Sequence, residues 1–155
     1  MEDISGDELD SQTVTFIENI GSLISDQGLP RSVGRVLGLL LICKPDHQSA
    51  EDIQNKLKLS SGAVSLATNM LKNIGLAKIV TFPGDRKYYY QLDHECWRQL
   101  VQARLEQLKR GITIAEQGLS ILKDDPRLLG LRDTYVTFEK ALRSAAQNVI
   151  ESSTD

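Results

Sequence analysis

Cysteine and histidine each occur only twice in 155 residues, and proline only four times. Cys43 and Cys96 both sit among apolar residues in helical patterns, where a thiol behaves as a small hydrophobe, so a disulfide framework is not expected. The alternative, a redox-sensing thiol, needs an exposed, electropositive setting, which only a structure can show. With His47 and His94 the cysteines supply scattered ligands without zinc spacing, so no metal and no other cofactor is expected. No apolar run reaches the roughly eighteen residues that cross a bilayer, and the N-terminus MEDISGDELD is acidic where a secretory signal is basic. A soluble cytoplasmic protein with no membrane partner is expected. No Ser/His/Asp set, phosphate-cradling Gly-rich loop or paired-carboxylate cleft emerges, so no catalytic residue is assigned and an enzyme is not expected.

What the chain does have is 41% hydrophobic residues, enough for one compact domain or a small domain with helical extensions. Its net charge of −3 is unevenly spread. Residues 1–30 carry seven acids and no base, residues 31–92 nine bases against four acids, and residues 93–155 nine bases against ten acids. Charge acts by segment, and the positive excess falls in the middle, so an acidic total does not exclude a nucleic-acid partner.

Residues 1–10 are polar and acidic and read as frayed. From Ser11, Val14, Ile17, Ile20 and Ile24 recur at helical spacing and stop near Gly28 and Pro30, giving an amphipathic helix at roughly 11–26. Lacking any base, it suits a core or subunit contact. Pro30 opens the next helix. Arg31 to Cys43 is apolar over so wide an arc that this helix must be largely buried, and Gly34 and Gly38, four apart, could let another helix approach closely. Lys44 to Gln48 ends it, with His47 read as a solvated loop residue.

Residues 49–92 have the order of a winged helix-turn-helix. Ser49 caps a short helix, with Asp52 placed to reach back, and Ile53 and Leu57 face inward. Ser60 caps the next helix, Ser61 to about Gly75. Val64, Ala67, Leu71 and Ile74 form its inward stripe, and Ser61, Ser65, Thr68, Asn69 and Lys72 face outward. Such short hydroxyl and amide side chains let a backbone approach a groove and bond base edges or phosphates. Gly62 lowers helix stability, yet it removes a side chain where the helix N-terminus would meet a phosphate; the plainer account is relief of packing. After Gly75 the chain reads as a hairpin, Leu76 to Phe82 and Arg86 to Leu92, turning at Pro83-Gly84-Asp85. Arg86 and Lys87 lie at its tip. Tyr88, Tyr89 and Tyr90 read as strand-forming and packing residues rather than a ligand cage.

Asp93 caps a long helix from His94 to about Leu122, and Asp125 with Pro126 opens a last one. At 1.5 Å per residue the first spans roughly 40 Å, far more than a small winged domain needs. The stripes Trp97, Val101, Leu105, Leu108, Ile112, Ala115, Leu119 and Leu122, then Leu128, Leu131, Tyr135, Phe138, Leu142, Ala145 and Val149, need partners. The fold expected is mainly α with a small β-hairpin wing. Residues 1–30 form an acidic segment and helix, 31–92 a winged DNA-binding domain, and 93–155 a helical dimerisation region. Ile17, Leu108, Ile112, Leu119, Tyr135, Phe138 and Leu142 are the candidate dimer contacts.

GLPRSVGRVLGLLL at 28–41, SSGAVSLATNMLKNIGLAKIV at 60–80 and PGDRKYYY at 83–90 resemble the MarR-type winged-helix regulators, and within them the GbsR-like branch. The Asp85-Arg86-Lys87 wing tip is the most specific element. The resemblance implies a homodimer on a pseudo-palindromic operator. Ser61, Gly62, Ser65, Thr68, Asn69 and Lys72 would lie in the major groove, with Arg86 and Lys87 on the wing and Asp85 orienting Arg86. Relatives often carry a base where Ser61 stands, so affinity or preference should differ here. It also implies control of osmoprotectant uptake or synthesis, in some relatives through choline-like ligands. A quaternary ammonium needs an aromatic cage, and with only eight aromatics, several on apolar stripes, no ligand is assigned. An effector or regulatory protein remains open, as does a winged-helix interaction adaptor that does not read DNA.

Overall fold

The computed structural model describes residues 9–152, with side chains to residue 147; the acidic residues 1–8 and the side chain of Val149 lie outside the described residues. Seven elements of the first compact unit run α1 (Ser11–Asp26), α2 (Arg31–Ile42), β1 (His47–Ser49), α3 (Ala50–Leu57), α4 (Ser61–Asn73), β2 (Ala77–Val80) and β3 (Tyr89–Leu92). A second unit begins at Trp97 and contains most of α5 (Cys96–Ile121) and α6 (Pro126–Ser152).

The helix starts follow their caps. Asp10, expected to be frayed, accepts from the Thr13 backbone N–H at 2.8 Å and so opens α1. Ser49 and Asp52 form the reciprocal capping box of α3. Burial works to raise the Asp52 pKa, but the Ser49 hydroxyl and N–H bond its charged form and leave it lowered.

α2 is the centre of the unit, burying Val33, Val36, Leu37, Leu39 and Leu40 against Ile17, Ile53, Val64, Ala67 and Leu71. Gly34 and Gly38 provide the close approach that their spacing suggested. A Cβ on Gly34 would stand 2.6 Å from the Ile20 carbonyl oxygen, and one on Gly38 3.0 Å from the Ile17 Cα, so α1 is the helix they admit. Ile17, a candidate dimer contact, is thereby only 2% exposed and packs in its own chain's core. Burial also raises the Cys43 thiol's pKa, contrary to what a reactive thiolate requires.

Three antiparallel strands pair in the order β1-β3-β2, with His47 opposite Gln91 and Val80 opposite Tyr89. β1 corrects the reading of His47 as a solvated loop residue. Its ring packs 4.6 Å from Phe82 and 5.0 Å from Tyr89, centroid to centroid. Three residues beside a proline carry no period of their own, and only the ladder to β3 makes them a strand. The strands β2 and β3 are also shorter than expected, and Tyr88 lies outside the ladder, 66% exposed rather than packed.

In the second unit α5 and α6 pack antiparallel. The Tyr135 ring lies on Gly111 and Leu128 on Gly118, so close that a Cβ on either glycine would collide with it. Tyr135 therefore has a contact inside its own chain. Leu108, Ile112, Leu119 and Leu142 are half-buried, while Phe138 stays 58% exposed. Trp97, at the start of the apolar stripe of α5, is also exposed. No described helix is long and apolar enough to cross a membrane.

Candidate nucleic-acid interface

α4 begins where Ser60 accepts from the Ala63 N–H at 3.2 Å, and its axis ends at Gly75, whose φ of +79° closes the C-terminus. Val64, Ala67 and Leu71 turn inward as their spacing dictates, fixing the opposite side of the helix toward solvent. Ser61, Gly62, Ser65 and Asn69 lie on that exposed side, and Lys72 is half-buried at its flank. A Cβ on Gly62 would meet nothing within 4 Å, so packing inside the chain does not explain this glycine.

Thr68 does not join them. It is 1% exposed, and its hydroxyl donates back to the Val64 carbonyl at 2.9 Å and the Ser65 carbonyl at 3.2 Å. With its one polar atom satisfied by its own helix, threonine fills a core position as a β-branched side chain. Ile74, placed on the inward stripe, is exposed at the helix end. Leu66 is the residue that pattern reading missed, 49% exposed among the polar positions. The available signal was its place outside the Val64-Ala67-Leu71 stripe.

Beside α4 stands the wing. Asp85 accepts from the Lys87 backbone N–H at 2.9 Å and the Tyr89 hydroxyl at 2.6 Å, so its carboxylate folds the turn instead of holding the Arg86 guanidinium. Those bonds, the tyrosine's first, lower the Asp85 pKa, and the same contact raises that of Tyr89. Arg86 is exposed and, among the described residues, makes no side-chain hydrogen bond or ion pair. Lys87 pairs with Glu51 at 3.2 Å. Both side chains are solvated, so this pair yields readily to a phosphate.

The electrostatics of the surface follow from the chain itself. No acid occurs between Asp52 and Asp85, while Lys56, Lys58, Lys72 and Lys78 fall in that interval. An exposed helix without acids, presented beside a hairpin whose tip carries a free guanidinium, defines a winged helix-turn-helix protein.

Comparison with known proteins agrees. No protein-family model matches the chain. The HTH-type transcriptional regulator MmpR5 of Mycobacterium tuberculosis (strain ATCC 25618 / H37Rv) is 31% identical over 135 residues, which cover 84% of this chain and 82% of that protein. The crystal structure of a transcriptional regulator aligns at a TM-score of 0.75 and 29% identity, over 90% of this chain and 99% of the other. The chain belongs to the HTH-type transcriptional regulators and is not an enzyme. A MarR family regulator from Neisseria meningitidis is more distant, 19% identical with a TM-score of 0.41 over 88% of this chain and 94% of the other.

Proposed function

We propose that the chain acts as a homodimer on a pseudo-palindromic operator. In this account α4 enters the major groove through Ser61, Gly62, Ser65, Asn69 and Lys72, and Arg86 and Lys87 engage the neighbouring backbone or minor groove. The observation that carries the proposal is the outward face of α4, bare of acids and made mostly of short polar side chains, next to an Arg86 without a side-chain partner among the described residues. Dimerisation is supported by the second unit, a two-helix hairpin that leaves Ile114, Ile121, Leu131 and Phe138 exposed; stripes of this kind need a partner. Two reading heads would then sit about one helical turn of DNA apart, and an effector or regulatory protein would act by altering that distance.

For the target genes, the motifs shared with the GbsR-like branch support osmoprotectant uptake or synthesis. The aromatic residues add no choline-like effector to that assignment. His47, Phe82 and Tyr89 form the ring cluster of the first unit, and centroid distances of 4.6–5.4 Å leave no room for a cation among them.

Selection of bound fragments from a random duplex library tests the proposal. The expected product is an inverted repeat with half-sites about one helical turn apart. Failure to retain any duplex at low salt would return the chain to a winged-helix interaction adaptor. Arg86→Ala should weaken binding across all sequences and reduce the salt slope by about one, as loss of one phosphate contact does. Phe138→Glu should yield helical monomers in sedimentation, and a stable dimer carrying it would place the interface elsewhere.

A further inference from the structure

Helical geometry places Gly62, Ser65, Leu66, Asn69 and Asn73 within an arc of about 100° on the exposed side of α4, and all five are exposed. Leu66 stands at one edge of that arc, one turn from Gly62 and one from Asn69. Any surface that receives this face must therefore accommodate a leucine. Its neighbours are Gly62, Asn69 and Asn73 on the outward side and the half-buried Ala63 and Met70 on the other.

Direct readout in the major groove uses few pairings. Guanine is read by Arg or Lys, and the five-residue face has neither; Lys72, half-buried at its edge, is the only base in the helix. Cytosine is read by Glu or Asp, and α4 contains no acid. Adenine is read by a bidentate Asn or Gln through N6 and N7, and thymine by an apolar side chain against its C5-methyl. Those two are what this face offers, in Asn69 and Leu66. Serine reads either kind of pair and does not alter the balance.

We infer that α4 is an A·T reader, with Leu66 lying on a thymine methyl and Asn69 bonding an adenine edge near the centre of each half-site; this rests on the DNA-binding proposal above. Leu66 is then a specificity-determining residue of the recognition helix. The bare Gly62 backbone lets the helix approach closely enough for a short amide to reach a base.

Uracil in place of thymine deletes the methyl and nothing else. In the selected operator, single thymine-to-uracil replacements near the half-site centre should include one that weakens the wild-type protein about fourfold per methyl, as expected for one buried carbon. Replacement in both half-sites should weaken it by roughly tenfold or more. Leu66→Ala, whose folding is checked by its melting temperature, should bind thymine and uracil operators equally. Asn69→Ala should lose discrimination at one adenine by about fivefold or more, the lower range for a bidentate pair. Duplex binding with G·C at the centre, no wild-type response to uracil at any position, or an equal response in Leu66→Ala would each overturn the A·T assignment while leaving DNA binding standing. No duplex binding at low salt would instead remove the proposed function itself.

Discussion

α2 and α4 are helices of nearly equal length, 12 and 13 residues, and each contains glycine, which costs a helix about 1 kcal/mol relative to alanine. In α2 that cost has a structural return, because Gly34 and Gly38 admit the backbone of α1 to within contact distance. In α4 it has none inside the chain, because Gly62 faces open space. The same residue type thus reports packing in one helix and the approach of something outside the chain in the other. The two sides of α4 repeat the contrast, with Leu71 fully buried and Leu66 half in water.

The largest effect should come from the buried side of α4. Leu71→Ala is expected to lower unfolding stability by about 2–5 kcal/mol in chemical denaturation, the range for emptying a packed leucine site. A loss below 1 kcal/mol would mean that α4 is not anchored as described. Gly34→Ala should follow at about 1–3 kcal/mol, since its methyl would press on the Ile20 carbonyl, which cannot move without shifting α1. An unchanged midpoint would separate α1 from α2.

Glu18 ties these helices at their surface, accepting from Arg31 at 2.9 Å and Arg35 at 2.7 Å. Partial burial works to raise its pKa, but Arg31 and Arg35 together outweigh it and leave the value lowered. A lowered folded-state value stabilises the fold above the unfolded pKa, and that contribution is lost as pH falls through the folded value. Glu18→Gln should therefore cost about 0.5–1 kcal/mol at neutral pH, modest because the pair is partly solvated, and the difference should shrink as pH falls below the ordinary glutamate value of 4.5. A difference that grew on acidification would contradict the pairing.

The smallest effect has the opposite sign. Gly62→Ala should raise stability by up to about 0.5–1 kcal/mol while weakening duplex binding. A more stable variant with unchanged affinity would break the contrast between the two glycines.

Much of this was legible from residue order. Ser49 with Asp52, Ser60, and Asp125 with Pro126 mark helix starts by chemistry that operates within one turn, and α1 and α4 run close to the bounds read for them. The Gly34–Gly38 spacing identified a close contact without naming its partner. What escaped depends on the third dimension. β1 exists only through pairing with β3, and Thr68 is buried because its hydroxyl can be satisfied by its own helix. Ile17 and Tyr135 fit any apolar interface, and only the folded chain shows that each has a contact within it. Asp85 lies beside Arg86 in sequence, yet the turn directs its carboxylate to Lys87 and Tyr89. Leu66 was named neither on the inward stripe nor on the outward face, and its 49% exposure shows which side it takes.

The most direct test of the central claim is a titration of the wild-type protein with duplex DNA across a range of salt concentrations. Affinity should fall linearly on logarithmic axes, with a slope of about −0.9 for each phosphate neutralised, and most steeply for the selected inverted repeat. Absence of binding at the lowest salt, or an affinity indifferent to salt, would contradict a DNA-reading role for α4 and its wing.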